Sequence, residues 1–377
     1  MIVAGEASGD LHGANLVRAM NKLAPGLSFI GIGGPRMREA GVDTLVDASE
    51  MAVVGLIEVI AHFDVISSAY LTLKKIMSAS PPDLVILIDY PDFNLRIAAL
   101  AKKAAVPVLY YISPQVWAWR VGRVKKIGRV IDRMAVVFPF EVPFYEKKGV
   151  PVTFVGHPLV DSVSPSMSRN EARQQFGLDD RCRTIGLFPG SRHGEIKRLL
   201  PTILAAAQLL NERFDDLQFI LPLASSLTLA DINPYLDSSG LSVTVIEGKG
   251  YDVMQVCDAI ITVSGTVTLE IALMAIPMVI IYRVSPLTYA IGVRLIKVDH
   301  IGLCNIVAGE RIVRELLQHD AEPVHIADEI EHILTDPDYD AAIRSKLATV
   351  RDKLGSGGGS TRVAELALEM IAPGVTY

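Results

Sequence analysis

The stretch LVILIDYPDFN, residues 84–94, decides how this chain reads. Leu84–Ile88 is a continuous apolar run without alternation, the pattern of a strand buried on both faces in a parallel sheet. It stops abruptly at an acidic turn that holds Asp89 and Asp92. The first ten residues, MIVAGEASGD, repeat the design: a short apolar strand, then Gly5, Glu6, Ser8 and Asp10 in a small acidic turn that opens a helix. Parallel strands ending this way place both turns on one sheet edge, where α/β proteins bind ligands. Glu6, Ser8, Asp10, Asp89 and Asp92 are therefore candidate site residues, and Ser8 and Asp10 can also cap the helix. An ordinary capped turn is the plainer reading of GEASGD taken alone.

Working outward, strand-like runs near 2–4, 28–32, 84–88, 107–112, 133–138 and 152–155 alternate with amphipathic helices. A second series lies near 184–188, 217–222, 242–246, 258–263 and 277–282. In the first helix Leu16, Val17, Met20 and Leu23 recur at helical spacing. The alternation implies right-handed β-α-β crossovers. The two series are separated by GHPLVDSVSPSMSRN, residues 156–170, a serine-rich stretch with two prolines and no period. GSGGGS at 355–360 precedes a last helix, Thr361–Ile371. The expected architecture is α/β, two Rossmann-like domains with parallel sheets facing across a cleft. The first spans 1–160 and is completed by 356–377; the second spans 161–355.

Bulk properties narrow the function. The 377 residues are half apolar with a net charge of −6, which supplies ample core and no global attraction to nucleic acid. Cys182, Cys257 and Cys304 are far apart and form no C-x-x-C pair, so a reducing cytoplasm fits better than a disulfide scaffold. The histidines show no metal-ligand spacing, and no metal or cofactor is expected. No basic-plus-apolar leader precedes the first strand. Ala259–Tyr282 is apolar enough to suggest a membrane span, but Ser264-Gly265-Thr266 and Pro277 punctuate it as strand, helix and strand.

Three further elements carry chemistry. GIGGPR at 31–36 has Arg36 where the dinucleotide fingerprint needs its third glycine, which weighs against a dehydrogenase. In LFPGSRHGEIKR, residues 187–198, a strand ends in Gly190, Ser191 and Arg192 before a long helix. Open amides at that helix start, with an arginine, suit a phosphate; a loop whose Arg192 is merely solvated is the equal alternative. ITVSGTVTLE, residues 261–270, sets Ser264, Gly265 and Thr266 between strand and helix. Glu270 lies four residues after Thr266, one too many for a capping box from Thr266; in this apolar stretch a carboxylate suits two ribose hydroxyls, and an exposed helix acid is the weaker alternative. SPQVWAWRVGRVKKIGR, residues 113–129, joins both tryptophans to Arg120, Arg123, Lys125, Lys126 and Arg129. That run reads as a solvated face or as a contact for anionic headgroups. His157 is left out of the catalytic set.

The ordered set VAGEASGD, GPRM, IDYPDFN, YISPQVWAWR, GSR, SGTVTLE and NIVAG (305–309) resembles the lipid-A-disaccharide synthase family over nearly the whole chain. The resemblance implies a GT-B inverting glycosyltransferase that needs no metal. It implies transfer of 2,3-diacylglucosamine from its UDP carrier to the 6-hydroxyl of 2,3-diacylglucosamine 1-phosphate. Family roles carry over onto Ser8, Asp89, Arg192, Glu270 and Asn305. Asp89 or Asp10 would be the base, and the GSR and SGT loops would hold UDP. Two features depart from the family: the first strand is only Met1–Ala4, and Tyr90 stands where a smaller residue is familiar.

Two alternatives share parts of this pattern. One is a nonhydrolysing UDP-sugar 2-epimerase, which needs no lipid surface; the other is a non-catalytic glycolipid-binding protein. Acylated substrates imply work at a membrane. Within Val53–Leu73, Ile57, Ile60, Phe63 and Ile66 recur near helical spacing, while Glu58, His62 and Asp64 oppose a full span; shallow docking is the expectation and a core helix the alternative. The expected location is the cytoplasmic face of the inner membrane of a Gram-negative cell, as a peripheral protein. The sequence leaves monomer and homodimer both open.

Overall fold

The computed structural model describes residues 1–51, 63–119, 121–284 and 299–371. The chain forms two compact units. One is residues 1–158 with the chain from Gly355 onward; the other is Leu159–Leu354.

The first unit holds a seven-stranded sheet of order β3-β2-β1-β4-β5-β6-β7. The strands are β1 (Ile2–Ala4), β2 (Phe29–Gly33), β3 (Val42–Asp47), β4 (Val85–Ile88), β5 (Val108–Tyr111), β6 (Arg133–Val136) and β7 (Val152–Phe154). Every ladder between them is parallel. As the unbroken apolar run required, β4 is buried throughout. The edge strand β3 escaped the sequence reading. Its VDTLVD alternates with acids and is mostly half-exposed, so it lacks the solid apolar signature of its neighbours.

Helices α1 (Ala7–Leu23), α2 (Pro35–Glu39), α3 (Phe63–Ala79) and α4 (Pro91–Lys103) cover this sheet. Leu16, Val17 and Met20 of α1 are buried, as their spacing predicts. The terminal helix Gly359–Ile371 packs on α1, and Arg362 Nε donates to the Val155 carbonyl at 2.7 Å.

The proposed membrane face needs correction on α3. Ala69, Leu73 and Met77 are buried, and Ile66 is half-buried against the same core, so this stretch serves packing. Leu71 on α3 is 57% exposed. Of Phe63 only the backbone is described, at the start of α3; Ile57 and Ile60 lie outside the described residues.

The second unit holds a six-stranded sheet of order β10-β9-β8-β11-β12-β13. Its strands are β8 (Arg183–Phe188), β9 (Leu217–Leu223), β10 (Val243–Glu247), β11 (Ala259–Val263), β12 (Met278–Tyr282) and β13 (Glu315–Leu317). These ladders are parallel too. The three-residue β13 was too short to be seen as a pattern. Helices α5 (His193–Arg213), α6 (Gly250–Val256), α7 (Val267–Leu273) and α8 (Leu303–Ala308) belong to this unit.

Strand order reverses between β1 and β4 in one sheet and between β8 and β11 in the other. At such a point the crossovers leave in opposite directions and open a crevice at the strands' carboxyl ends. The acidic turns follow β1 and β4; the GSR and SGT loops follow β8 and β11.

Candidate functional site

In the first unit the register pairs Ala4 with Ile88 and so brings the Gly5-Glu6 turn beside Asp89. Asp89 and Tyr90 have positive φ, 45° and 47°, a left-handed conformation that is rare outside glycine. The surroundings hold it in place. The Asp89 amide donates to the Tyr111 carbonyl at 3.1 Å. The Asp89 carbonyl accepts from Tyr110 Oη at 2.5 Å and from Asn94 Nδ2 at 2.7 Å. Tyr90 packs its ring over Gly5, where any Cβ would collide, and donates its hydroxyl to the Met51 carbonyl at 2.9 Å. Tyr90 therefore locks the turn. Burial, reinforced by nearby Glu6, pushes the Asp89 carboxyl up to about 6. Strained backbone and a raised carboxyl pKa coincide at functional sites more often than elsewhere.

Asp10 has a different task. It is buried, and its Oδ1 accepts from the amides of Gly34 at 2.7 Å and Met37 at 3.0 Å, while Oδ2 accepts from Arg36 at 3.0 Å. It thus ties α1 to the start of α2 and does not cap its own helix, whose N-terminal residue Glu6 makes no side-chain cap either. A carboxylate committed to three amides is poorly placed to take a proton from substrate. Asp10→Ala should cost about 2–3 kcal/mol of folding stability, the worth of buried charge-assisted bonds, read as a shifted denaturant midpoint. UDP affinity should be unaltered.

Ser8 is exposed on the first turn of α1, and Glu6 is exposed at its N-terminus. Asp92, also exposed, pairs with Arg123 of the basic run at 3.0 Å. Within SPQVW, Ser113 Oγ and Trp117 Nε1 both donate to Glu141, a buried carboxyl pushed up by desolvation to about 7. His12 and His157 are pushed down to about 4 by burial, so both are neutral imidazoles at pH 7.

The second unit brings its predicted residues together. A cavity of about 630 Å³ is lined by Gly190, Ser191, Arg192, Ser264, Gly265, Thr266 and Glu270. Gly190 has φ 104°, and a Cβ there would overlap Glu195 Oε2. The open amides expected at Ser191 and Arg192 are not open. Both donate to Glu195 Oε2, at 3.0 and 3.3 Å, in a capping box that shapes the loop. Arg192 itself stays exposed, its guanidinium only 3.5 Å from Glu195 Oε1. Ser264 donates its hydroxyl to the Ile301 carbonyl at 3.0 Å, which fixes the SGT loop.

Asn305 does not reach the cavity. It is fully buried, and Oδ1 accepts from the amides of Ile312 at 2.9 Å and Val313 at 3.1 Å. Its Nδ2 donates to the Val313 carbonyl at 2.9 Å and Glu315 Oε1 at 2.8 Å. With its capacity spent this way, Asn305 braces the 301–315 segment that holds Ser264.

The sequence reading missed the opposite wall: Leu223–Ser225 after β9, Gly248, and Gly250 and Met254 on α6. The glycine-rich EGKGYD after β10 was the available signal. Among the described residues no group of three or more His, Cys, Asp or Glu side chains is arranged to hold a metal ion.

The lipid-A-disaccharide synthetase family model matches residues 1–367. The lipid-A-disaccharide synthase of Geobacter metallireducens is 69% identical over 371 residues, covering 98% of this chain and 97% of its own. That of Nitrosococcus oceani is 52% identical over 370 residues, covering 98% and 95%. Among solved structures, the UDP-GlcNAc 2-epimerase of Neisseria meningitidis bound to UDP-GlcNAc aligns with TM-score 0.65 at 15% identity, over 96% of this chain and 97% of that one. A glycosyltransferase from Rickettsia africae aligns with TM-score 0.61 at 13% identity, over 99% and 98%. These two share the fold, the two-domain α/β class called GT-B, and at such identity nothing more. A family model matching residues 1–367, with 69% identity over 98% of the chain, settles the family: this chain belongs to the lipid-A-disaccharide synthases.

Proposed function

We propose that the chain transfers 2,3-diacylglucosamine from UDP to the 6-hydroxyl of 2,3-diacylglucosamine 1-phosphate, with inversion. The observation that carries this reading is the 630 Å³ cavity in which GSR, SGT and Glu270 converge at a topological switch point. Arg192 faces the diphosphate, and Glu270 accepts the ribose hydroxyls. Asp89 takes the proton from the 6-hydroxyl as the new O–C1 bond forms and the bond from C1 to the UDP oxygen breaks. The negative charge that grows on departing UDP is stabilised by Arg192. UDP release should depend strictly on the lipid acceptor and be indifferent to EDTA. Conversion of a UDP-sugar without acceptor would favour the epimerase, and no UDP release at all would favour a binding protein.

The substrates' acyl chains support peripheral attachment to an anionic membrane. Among the described residues no helix is long and apolar enough to cross one. Lys125, Lys126 and Arg129 are exposed, and basic residues at an anionic surface contribute about 1 kcal/mol each. Because Ile66 packs on the core, the informative variant is Ile57→Ser with Ile60→Ser. It should lose sedimentation with phosphatidylglycerol vesicles while keeping its melting temperature. Wild-type sedimentation would place attachment elsewhere.

A further inference from the structure

Tyr251 stands on α6 between Gly250 and Met254, which both line the cavity, yet Tyr251 itself is not part of the lining. Its hydroxyl donates to Glu270 Oε1 at 3.1 Å, and the Ser162 side chain hydrogen-bonds the same hydroxyl. Glu270 does line the cavity. Tyr251 therefore touches the ligand space only through Glu270.

The turn of α6 that carries Tyr251 is tied down. Its neighbour Asp252 is buried and accepts from the Ser166 amide at 2.7 Å, the Ser166 hydroxyl at 2.7 Å and the Met167 amide at 3.3 Å. This fastens α6 to the stretch that opens the second unit. A glutamate side chain has several rotatable bonds, and freezing them on binding costs affinity. A hydroxyl already seated on Oε1 removes much of that freedom and leaves Oε2 and the second Oε1 lone pair for incoming donors. It also opposes the effect of burial, which pushes the Glu270 carboxyl up, and so favours the ionised acceptor.

We propose that Tyr251 is a positioning residue that holds the Glu270 carboxylate for the two ribose hydroxyls and thereby sets the preference for a ribonucleotide. The inference rests on the reading of Glu270 as the ribose acceptor. Tyr251→Phe keeps the ring and removes only the hydroxyl. By calorimetry it should bind UDP about 3- to 10-fold more weakly, the worth of one hydrogen bond, and bind 2′,3′-dideoxy-UDP as wild type does. Glu270→Gln should also lose UDP selectively, and in the double variant the Tyr251 change should add nothing. In turnover the loss should appear in the donor KM rather than in kcat, because the ribose contact is the same in ground and transition states. Equal losses for both nucleotides in Tyr251→Phe, or none for UDP while Glu270→Gln loses it, would overturn the positioning role and leave the ribose reading standing. If Glu270→Gln bound both nucleotides as wild type does, the ribose reading would fall and the inference with it.

Discussion

Asp89→Asn is expected to lower transfer by about 10²–10⁴-fold, the usual contribution of a general base. The substitution keeps size and shape, so the left-handed turn held by Tyr110, Asn94 and Tyr111 should persist. Stability supplies a second reading with a definite sign. The folded-state carboxyl sits at about 6, above its ordinary 3.8. The folded protein thus binds its proton more tightly than the unfolded chain does, and stability is lost as pH rises through that interval. Asparagine removes this cost, so at pH 7 the variant should be at least as stable as wild type while nearly inactive. Wild-type kcat/KM should fall on the acid side near pH 6, and the variant's residual rate should lack that limb. Near-normal turnover in the folded variant would sink the assignment.

Arg192→Ala should weaken UDP binding by about 10- to 100-fold, which corresponds to the 1.5–3 kcal/mol of a hydrogen bond to a charged group. Arg192 is largely exposed, and its 3.5 Å contact with Glu195 is too weak to matter for folding, so stability should hardly change. The loop itself is shaped by the Arg192 and Ser191 backbone amides, which alanine retains. Arg192→Lys should fall between, because an ammonium keeps the charge but loses the two-pronged geometry. The wild-type affinity should weaken with added salt, and the alanine variant should show less of that dependence. Unchanged UDP affinity by calorimetry would mean that the nucleotide binds elsewhere.

Some features were legible because they are local. The unbroken apolar run Leu84–Ile88 follows from burial on both faces of a parallel strand, and β4 is buried as that run required. The acidic and glycine-rich turns are adjacent to their strands in the chain, so the sequence placed them at strand ends. Gly190, Ser191, Arg192, Ser264, Gly265, Thr266 and Glu270 belong to such turns and the first turns of their helices, and they line one cavity. The short β13 and the acid-laced β3 were not legible, because three residues and a half-exposed edge carry too little periodicity to detect.

The sequence by itself determined the strand-helix alternation, the two series of strands and the acidic and glycine-rich turns at strand ends. These depend on burial and backbone preference within a few neighbouring residues. Only the tertiary structure decided what each polar side chain does. Asp10 reaches amides 24 to 27 residues away, and its task changed from base candidate to tether. Asn305 spends its amide on Ile312, Val313 and Glu315, and Tyr251 finds Glu270 nineteen residues on. A polar group taken from water must find partners wherever the fold brings them, and no local period records where that is.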